Sequence, residues 1–332
     1  MSVGLTALLF VAALALTVIS SLVLAEVVDR LGERFGLSEG LLGIVTALAA
    51  DSPEIAAAVT AIQQGKTGVG LGVVFGSNLF NIAALLGLSA AVAGKVRIRR
   101  RALIFQGGVA LAVTAVVSAL VLRWVAPVTA LAVVLVIFVP YAGLSALRPR
   151  QVEQALRPGR PRSFLVAALS SVEKDVRPAQ TAPRATRHDL YTLVPALTAV
   201  VLGSIGMVNT SLALGRRWGI SEIVIGTVVL ASLTGLPNVL ASVRLARQGR
   251  GSAVVSESFN SNTLNLLVGV TLPALIGGVA APAASTLLTV WWLAGITAVT
   301  VIFTGYRGGL RRGEGIVVMA LYLVFVAVVV AA

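Results

Sequence analysis

Ten long apolar segments follow one another along this chain, and they restrict its fold more than any other feature. Each is long enough to cross the roughly 30 Å hydrocarbon core of a bilayer as a helix. The chain is 57% hydrophobic and only 12% charged, well below the charged fraction of an average soluble domain. We therefore expect an all-α polytopic membrane protein with ten transmembrane helices. The segments cover approximately residues 3–25, 40–63, 68–94, 102–122, 127–146, 190–214, 220–245, 252–281, 284–304 and 314–332.

The first apolar segment ends in the letters LVLAE, which look like a signal-peptidase site. A signal peptide has a basic start and a shorter apolar stretch, and this segment has neither. We expect it to stay in the protein as the first membrane helix.

The basic residues predict how the helices are oriented. Of the 26 Lys and Arg residues, 22 follow the odd-numbered segments, and the other four are Lys66, Arg123, Arg216 and Arg217. Basic loops stay in the cytoplasm, so we expect the polar stretch 147–189 there and both termini outside, in the cell (inner) membrane. The net charge of +13 follows from these loops, and no nucleic-acid partner is expected.

The polar stretch 147–189 contains one apolar piece, SFLVAALSSV, at 163–172. This piece is too short to span a bilayer, and we expect it to lie along the membrane surface. The rest of the stretch is rich in Arg and Pro, and its composition predicts a flexible linker.

Residues that many enzymes and metal sites need are missing or misplaced. The chain has no cysteine, which excludes disulfides, thiolate metal sites and cysteine nucleophiles. The single histidine, His188, lies in a polar loop, which argues against a His-ligated metal or a His-based triad. No HExxH, no paired DDxxD and no GxSxG with a partner histidine is present. We expect neither an enzymatic activity nor a bound cofactor.

The two halves of the chain repeat each other. GLSEGLLG recurs as GISEIVIG at an offset of 183 residues. SPEIAAAVTAIQQG aligns with LPNVLASVRLARQG, and GSNLFN with NSNTLN, both at an offset of 184. The matched pairs are 36–43 with 219–226, 52–65 with 236–249, and 76–81 with 260–265.

Each half holds five apolar segments, and an odd number makes the second copy enter the membrane from the opposite side. We therefore predict two inverted-topology repeats, 1–146 and 190–332, joined by a cytoplasmic linker, 147–189. Inverted repeats are typical of secondary transporters, whose substrate site lies near the membrane midplane between the two copies.

Asp51, Pro53 and Glu54 lie in the middle of the second segment, where carboxylates are costly. Asp51 and Glu54 are three residues apart and share a helix face. Pro53 removes a backbone donor and frees a carbonyl about one turn earlier, near Ala49. Such oxygens suit a hard cation such as Na⁺ or Ca²⁺, or a proton. The alternative is a proline kink whose carboxylates are hydrogen-bonded within the helix bundle.

The third segment and its counterpart, the eighth, carry further candidate oxygen ligands. Ser77 and Asn81 are four residues apart and share a helix face. The candidates on these two segments are Ser77, Asn78, Asn81, Ser261, Asn262 and Asn265.

SPE followed by GSNLFN, with both repeated in an inverted second copy, resembles the two alpha repeats of the sodium/calcium exchanger superfamily of cation antiporters. The resemblance covers essentially the whole chain. It implies ten helices, ion sites on the second, third, seventh and eighth, and alternating access through sliding of the first and sixth. By matching position, it implies the ion ligands Glu54, Ser77, Asn81, Thr234, Asn238, Ser261 and Asn265.

The chain departs from the family pattern at its acidic ligands. Members typically read GTSLPE in both copies, whereas this chain reads AADSPE and LTGLPN. Asn238 thus replaces the second acid, and Asp51 is an added carboxylate. If Asp51 faces the site, two negative charges are present and Ca²⁺ stays possible. If it faces away, the single charge of Glu54 favours a monovalent cation or a proton, and the sequence leaves both cases open.

Glu257 is a candidate for an inner vestibule. Glu257, Ser261 and Asn265 are spaced four apart on one face of the eighth segment, which puts Glu257 about 12 Å cytoplasmic of Asn265. Such a carboxylate would attract or relay cations. The alternative, which the sequence favours equally, is an ion pair between Glu257 and Arg247 or Arg250 near the membrane surface.

The sequence therefore predicts a secondary active cation antiporter of the sodium/calcium exchanger type with altered ligands. The expected partners are the lipid bilayer and small inorganic cations, namely Na⁺, Ca²⁺ or H⁺, which bind as transported ions. Two alternatives stay open. One is a proton-coupled monovalent cation exchanger on the same fold, and the other is a transport-incompetent homologue with a structural or regulatory role.

Overall fold

The computed structural model describes residues 2–176, 186–278 and 283–331. Within these residues, nine helices are long and apolar enough to cross a membrane, and a bent pair of helices forms one further span. The prediction of ten transmembrane helices is confirmed. In chain order, spans 1 to 10 are Val3–Arg34, Glu39–Ala50 with Ser52–Gln63, Thr67–Ala93, Arg100–Val121, Pro127–Ser145, Arg187–Trp218, Glu222–Arg247, Gly251–Gly277, Ala284–Arg307 and Arg312–Ala331.

Spans 1 and 6 extend further than their apolar segments. Span 1 continues past residue 25 to Arg34, and span 6 begins at Arg187 rather than at residue 190. An ion pair between Arg30 and Asp189, with 2.6 Å between nitrogen and oxygen, joins the two charged ends. The helices therefore run on beyond the apolar stretches, because the charged ends stabilise each other.

The polar stretch between spans 5 and 6 is more ordered than a flexible linker. Pro149–Ala155 and Arg160–Val176 are both helical. The second of these helices packs against spans 2, 4 and 8, and Arg101 donates a hydrogen bond to the Ser163 carbonyl at 2.7 Å. Packing against the spans supplies the order that composition alone did not predict. Residues 177–185 of the predicted linker and 279–281 of the eighth predicted segment lie outside the described residues.

The connections between spans alternate between two ends of the bundle. We call the end that carries the helix Arg160–Val176 the linker end, and the other the opposite end. At the linker end, strand β1 (Lys95–Arg97) pairs antiparallel with strand β2 (Gly309–Arg311). At the opposite end, Lys66 and Glu222 form an ion pair at 2.7 Å. Five spans precede the linker and five follow it, so the two repeats are inverted.

Spans 3 and 8 form the centre of the bundle. In their most apolar stretches, 94% and 72% of the residues are buried, against 17% in span 1. Glycines let the central spans approach closely. A Cβ atom on Gly76 of span 3 would lie 2.5 Å from the Thr227 Cα atom of span 7. The polar side chains of these spans are thereby kept away from lipid.

Candidate functional site

Span 2 is broken at Asp51, where its two helices meet at an angle of 50°. Pro53 stands in the first turn of the second helix, where its missing N–H breaks no helical hydrogen bond. The Ala49 carbonyl accepts hydrogen bonds from the hydroxyls of Ser52 at 2.7 Å and Ser21 at 3.4 Å. The Ala49 carbonyl, which the sequence suggested as an ion ligand, therefore already accepts hydrogen bonds. The candidate ion ligands that remain are side-chain oxygens.

The break turns two carboxylates toward the second repeat. Asp51 is 1% exposed and Glu54 is 0% exposed. The Asn238 side chain on span 7 donates from Nδ2 to Asp51 Oδ1 at 3.3 Å, so Asp51 faces the interface between the repeats. Among the described residues, Asp51 Oδ2 and both Glu54 carboxylate oxygens have no hydrogen-bond partner. The Thr234 side chain lies next to the Glu54 carboxylate.

Amide side chains from spans 3 and 8 meet beside the carboxylates. Asn81 donates from Nδ2 to Ser261 Oγ at 2.8 Å, and Ser261 neighbours the Asp51 carboxylate. Asn265 donates from Nδ2 to Asn78 Oδ1 at 3.2 Å. These contacts run from one repeat to the other. They bring together the residues that the repeated motif predicted.

The two remaining candidates on these spans are Asn262 and Ser77. Asn78 donates from Nδ2 to the Asn262 carbonyl at 3.4 Å. Ser77 donates to the Val74 carbonyl at 3.1 Å, which leaves its lone pairs available. The six candidates on these two spans, two serines and four asparagines, are at most 1% exposed.

Thr114 on span 4 is a site neighbour that sequence reasoning missed. Its hydroxyl accepts a hydrogen bond from Asn262 Nδ2 at 3.0 Å. Thr114 is a single hydroxyl in an apolar segment outside the repeated motifs, so no pattern pointed to it. It fixes which way the Asn262 amide is turned.

Among the described residues, six of the twelve buried side-chain oxygens without a hydrogen-bond partner lie in this region. Besides the carboxylate oxygens, Oδ1 of three asparagines lacks a hydrogen-bond partner among the described residues: Asn81, Asn262 and Asn265. Most buried polar atoms in folded proteins have a partner, and an unpaired buried charge is especially costly. Within the described part of the chain, no group of three or more His, Cys, Asp or Glu residues is arranged to hold a metal ion. The arrangement can bind a cation through two carboxylates supplemented by amide and hydroxyl oxygens.

Glu257 lies on the linker-end side of this site. Its Oε2 atom accepts a hydrogen bond from Ser242 Oγ on span 7 at 3.1 Å. A cavity of about 220 Å³ adjoins it and extends from Ala50 to Asp29 and Arg250. The partner identified for Glu257 is therefore a hydroxyl rather than Arg247, and the carboxylate borders a cavity at the linker-end side of the site.

The fold and this polar centre define a class: a polytopic membrane protein of two inverted five-span repeats, with a buried oxygen-rich site between them. The family model described as "Sodium/calcium exchanger protein" matches residues 5–148 and 188–331. The chain belongs to this sodium/calcium exchanger family.

Two relatives illustrate the sequence similarity. Sodium/calcium exchanger MaX1 from Methanosarcina acetivorans is 31% identical over 140 residues, which are 42% of this chain and 40% of that protein. Sodium/potassium/calcium exchanger 4 from Mus musculus is 31% identical over 152 residues, covering 43% of this chain and 24% of that protein. Each match thus spans less than half of the relative's length.

Solved structures show the same fold. The sodium-calcium exchanger NCX_Mj, soaked with Na⁺ and Sr²⁺, aligns with a TM-score of 0.64 over 98% of this chain and 99% of that chain, at 20% identity. The H⁺/Ca²⁺ exchanger CAX aligns with a TM-score of 0.73 over 98% of this chain and 85% of that chain, at 15% identity.

Proposed function

We propose that the chain is a secondary active antiporter that exchanges Ca²⁺ for a monovalent cation by alternating access. The observation that carries this proposal is the pair of buried carboxylates, Asp51 and Glu54. Three of their four oxygens lack a partner among the described residues, and no ion pair found there involves either one. Two buried negative charges need compensation, and a divalent cation supplies it.

The proposed ligand set combines charged and neutral oxygens. Ca²⁺ takes six to eight oxygen ligands, and its affinity rises with the number of charged ones. Asp51 and Glu54 provide the two charges, while Asn238 holds Asp51 in place through its amide. The neutral ligands are proposed to come from Ser77, Asn81, Thr234, Ser261 and Asn265, with Asn78 and Asn262 orienting them.

Spans 1 and 6 are proposed to move as one body during transport. The Arg30–Asp189 ion pair joins them near the linker end. Further along, a Cβ atom on Gly203 of span 6 would lie 3.0 Å from the Thr17 backbone nitrogen of span 1. Both contacts favour joint sliding over independent motion. The repeats 1–146 and 190–332 then rearrange around the ion, with 147–189 as their connection.

The linker end is proposed to face the cytoplasm, with both termini outside, in the cell (inner) membrane. The bias of 22 basic residues against four supports this orientation. The cavity beside Glu257 would then be a passage to the cytoplasm, in which the carboxylate attracts cations.

Ion flux in proteoliposomes tests the proposal. Purified protein should take up Ca²⁺ when an outward gradient of the counter-ion is imposed, and Na⁺, K⁺ and H⁺ gradients should be compared. Asp51→Asn and Glu54→Gln should each abolish most of the uptake. Exchange of monovalent cations without Ca²⁺ uptake would favour the monovalent exchanger. Absence of flux under every gradient would favour the transport-incompetent homologue.

A proton is the second candidate for the counter-ion. The unpartnered carboxylate oxygens of Asp51 and Glu54 can take up protons when the cation leaves, because the ion pairs found among the described residues do not include them. The discriminating result is Ca²⁺ uptake driven by an outward proton gradient in the absence of Na⁺. Uptake that requires Na⁺ would exclude this coupling.

A further inference from the structure

Two hydroxyl groups attach spans 1 and 6 to the break of span 2. Ser21 on span 1 donates to the Ala50 carbonyl at 3.0 Å and lies 3.4 Å from the Ala49 carbonyl. Ser204 on span 6 donates to the Pro53 carbonyl at 3.4 Å. Both serines are buried, at 5% and 0% exposure. The break thus accepts hydrogen bonds from both of the spans that are proposed to move.

These two serines are counterparts in the two repeats. The offset of 183 that aligns GLSEGLLG with GISEIVIG also aligns them. A Cβ atom on Gly32 would meet the Leu42 side chain. The equivalent atom on Gly215 would meet the Ile225 side chain, so the packing of both copies fits this offset. Two equivalent hydroxyls therefore bond to one span, although each repeat has its own.

Span 7 carries the equivalent acceptors next to a groove. Pro237 corresponds to Pro53 at an offset of 184, and it has no N–H to donate to the Leu233 carbonyl. Pro53 is buried, whereas Pro237 is partly exposed. Leu233 and Pro237 line a groove of about 540 Å³ whose other wall includes Val18 and Leu22 of span 1. A residue whose carbonyl lacks its usual helical donor therefore borders open space beside span 1.

The structure has one end of the bundle open and the other closed. At the opposite end, a Cβ atom on Gly226 would lie 2.6 Å from the carbonyl oxygen of Val69, which is 0% exposed. At the linker end, a Cβ atom on the equivalent Gly43 would meet nothing within 4 Å. Ala253, the counterpart of Val69 at an offset of 184, lines the cavity of about 220 Å³ there. We call this arrangement the linker-open state and its inverse the opposite-open state.

We propose that Ser21 and Ser204 are positioning residues that set the two end points of the movement of spans 1 and 6. In the linker-open state, both hydroxyls hold these spans on span 2. In the opposite-open state, Ser204 bonds to the Leu233 and Thr234 carbonyls, the counterparts of those that Ser21 contacts here. Ser21 then bonds to the Pro237 carbonyl.

The inference rests on the alternating-access transport proposed above. In inverted-repeat transporters, one repeat moves against the other around a fixed site. The contact that one copy makes in one state is then made by its counterpart in the other state. A close crossing of spans 1 and 6 makes the two hydroxyls change partners together, since a Cβ atom on Gly203 would lie 3.0 Å from the Ala13 carbonyl oxygen.

The two serines should influence the balance between the states in opposite directions. In the linker-open state, Ser21 makes the shorter contact, at 3.0 Å, and Ser204 makes the longer one, at 3.4 Å. Inversion exchanges these roles in the opposite-open state. Ser21→Ala should therefore favour the opposite-open state, and Ser204→Ala should favour the linker-open state. Residues that only support the fold would not give shifts of opposite sign.

Cysteine labelling of the full-length protein measures this balance. The chain has no native cysteine, so Val69→Cys and Ala253→Cys each provide a single thiol for a water-soluble maleimide, one at each end. The ratio of the Val69→Cys rate to the Ala253→Cys rate reports the ratio of the two states. Ser21→Ala should raise this ratio about two- to fivefold, and Ser204→Ala should lower it by a similar factor, because one buried hydrogen bond is lost in each case.

A double variant and a control sharpen the test. Ser21→Ala/Ser204→Ala should bring the ratio back to within about twofold of the wild-type value, because two opposite shifts of this size cancel. Thr198→Val should leave the ratio unchanged, because the exposed Thr198 hydroxyl bonds within its own helix. Thermal unfolding in detergent shows that each variant is folded.

The outcomes separate this inference from the proposed function. An unchanged ratio in both single serine variants, or shifts of the same sign, would overturn the role of Ser21 and Ser204. Absence of Val69→Cys labelling in every variant would overturn it as well. None of these measurements needs ion flux, so a failed transport assay with opposite shifts in the labelling ratio would overturn the proposed function alone.

Discussion

Spans 2 and 7 occupy equivalent places in the two repeats but are built differently. Span 2 breaks at Asp51, whereas span 7 runs through Pro237 as one helix that follows a π-helical turn, Ile225–Leu230. At the position equivalent to Asp51, the second repeat has Gly235. A Cβ atom there would lie 2.8 Å from the Phe80 ring. The second repeat therefore has no room for a carboxylate at this position.

The difference shows that two repeats with the same backbone fold can have different numbers of acidic side chains at the proposed site. Both carboxylates of the proposed site come from the first repeat, and the second offers the Asn238 amide in place of an acid. That amide donates to Asp51 at 3.3 Å, whereas a second acid at 238 would repel it. The two departures from the family pattern are thus complementary, and the proposed site keeps two carboxyl groups.

Glu54→Gln should have the largest effect. It removes a charge that no other residue replaces, and we expect Ca²⁺ uptake to fall at least about 100-fold, given that two charges 4 Å apart at an intermediate dielectric interact by about 4 kcal/mol. The measurement is initial uptake rate in proteoliposomes. Glu153→Gln, an exposed change in the linker, should transport at the wild-type rate; a Glu54→Gln variant that matches it would remove Glu54 from the site.

Asp51→Asn should separate divalent from monovalent ions. We expect the Ca²⁺ dissociation constant to rise roughly 100-fold and that of Na⁺ less than about tenfold, because the loss of one charge costs a divalent ion more. Calorimetry with each ion on the purified protein checks this. Equal changes for both ions would mean that Asp51 does not contact the divalent cation.

Gly226→Ala should be more destabilising than Gly43→Ala, although the two glycines are equivalent in sequence. The added methyl group on Gly226 meets the Val69 carbonyl, whereas that on Gly43 enters open space. Overpacking of this kind costs about 1–3 kcal/mol. Thermal unfolding in detergent should show a lower midpoint for Gly226→Ala alone. Equal midpoints would contradict the difference between the two ends.

Thr114→Val should have the smallest effect, about 1 kcal/mol, because it leaves the buried Asn262 amide without its acceptor. Thr198→Val is the control, since the exposed Thr198 hydroxyl bonds within its own helix. Chemical unfolding of both variants gives the comparison, and equal stability would exclude a supporting role for Thr114.

The ten spans are predictable from the sequence, because the length of an apolar segment depends on local composition. The two repeats are predictable because their motifs match at nearly constant offsets. The direction of Asp51 is not, since the break at this residue rotates the chain and face-sharing rules hold only within a regular helix. Thr114 was missed because it is a lone hydroxyl outside the repeated motifs. Ser242 was missed because its counterpart in the first repeat is Ala58, so the repeat gave no signal there. The helix Pro149–Ala155 was missed because its polar composition resembles that of a flexible linker.

The most direct test moves the second carboxylate of the proposed site from position 51 to position 238. Asp51→Asn/Asn238→Glu returns the second charge to span 7 and places an amide on span 2. Calorimetry should find weak Ca²⁺ binding in Asp51→Asn and recovery to within about tenfold of wild type in the double variant, because the number of charged ligands is again two. A double variant that binds Ca²⁺ as weakly as Asp51→Asn would contradict the claim that Asp51 replaces the missing acid at position 238.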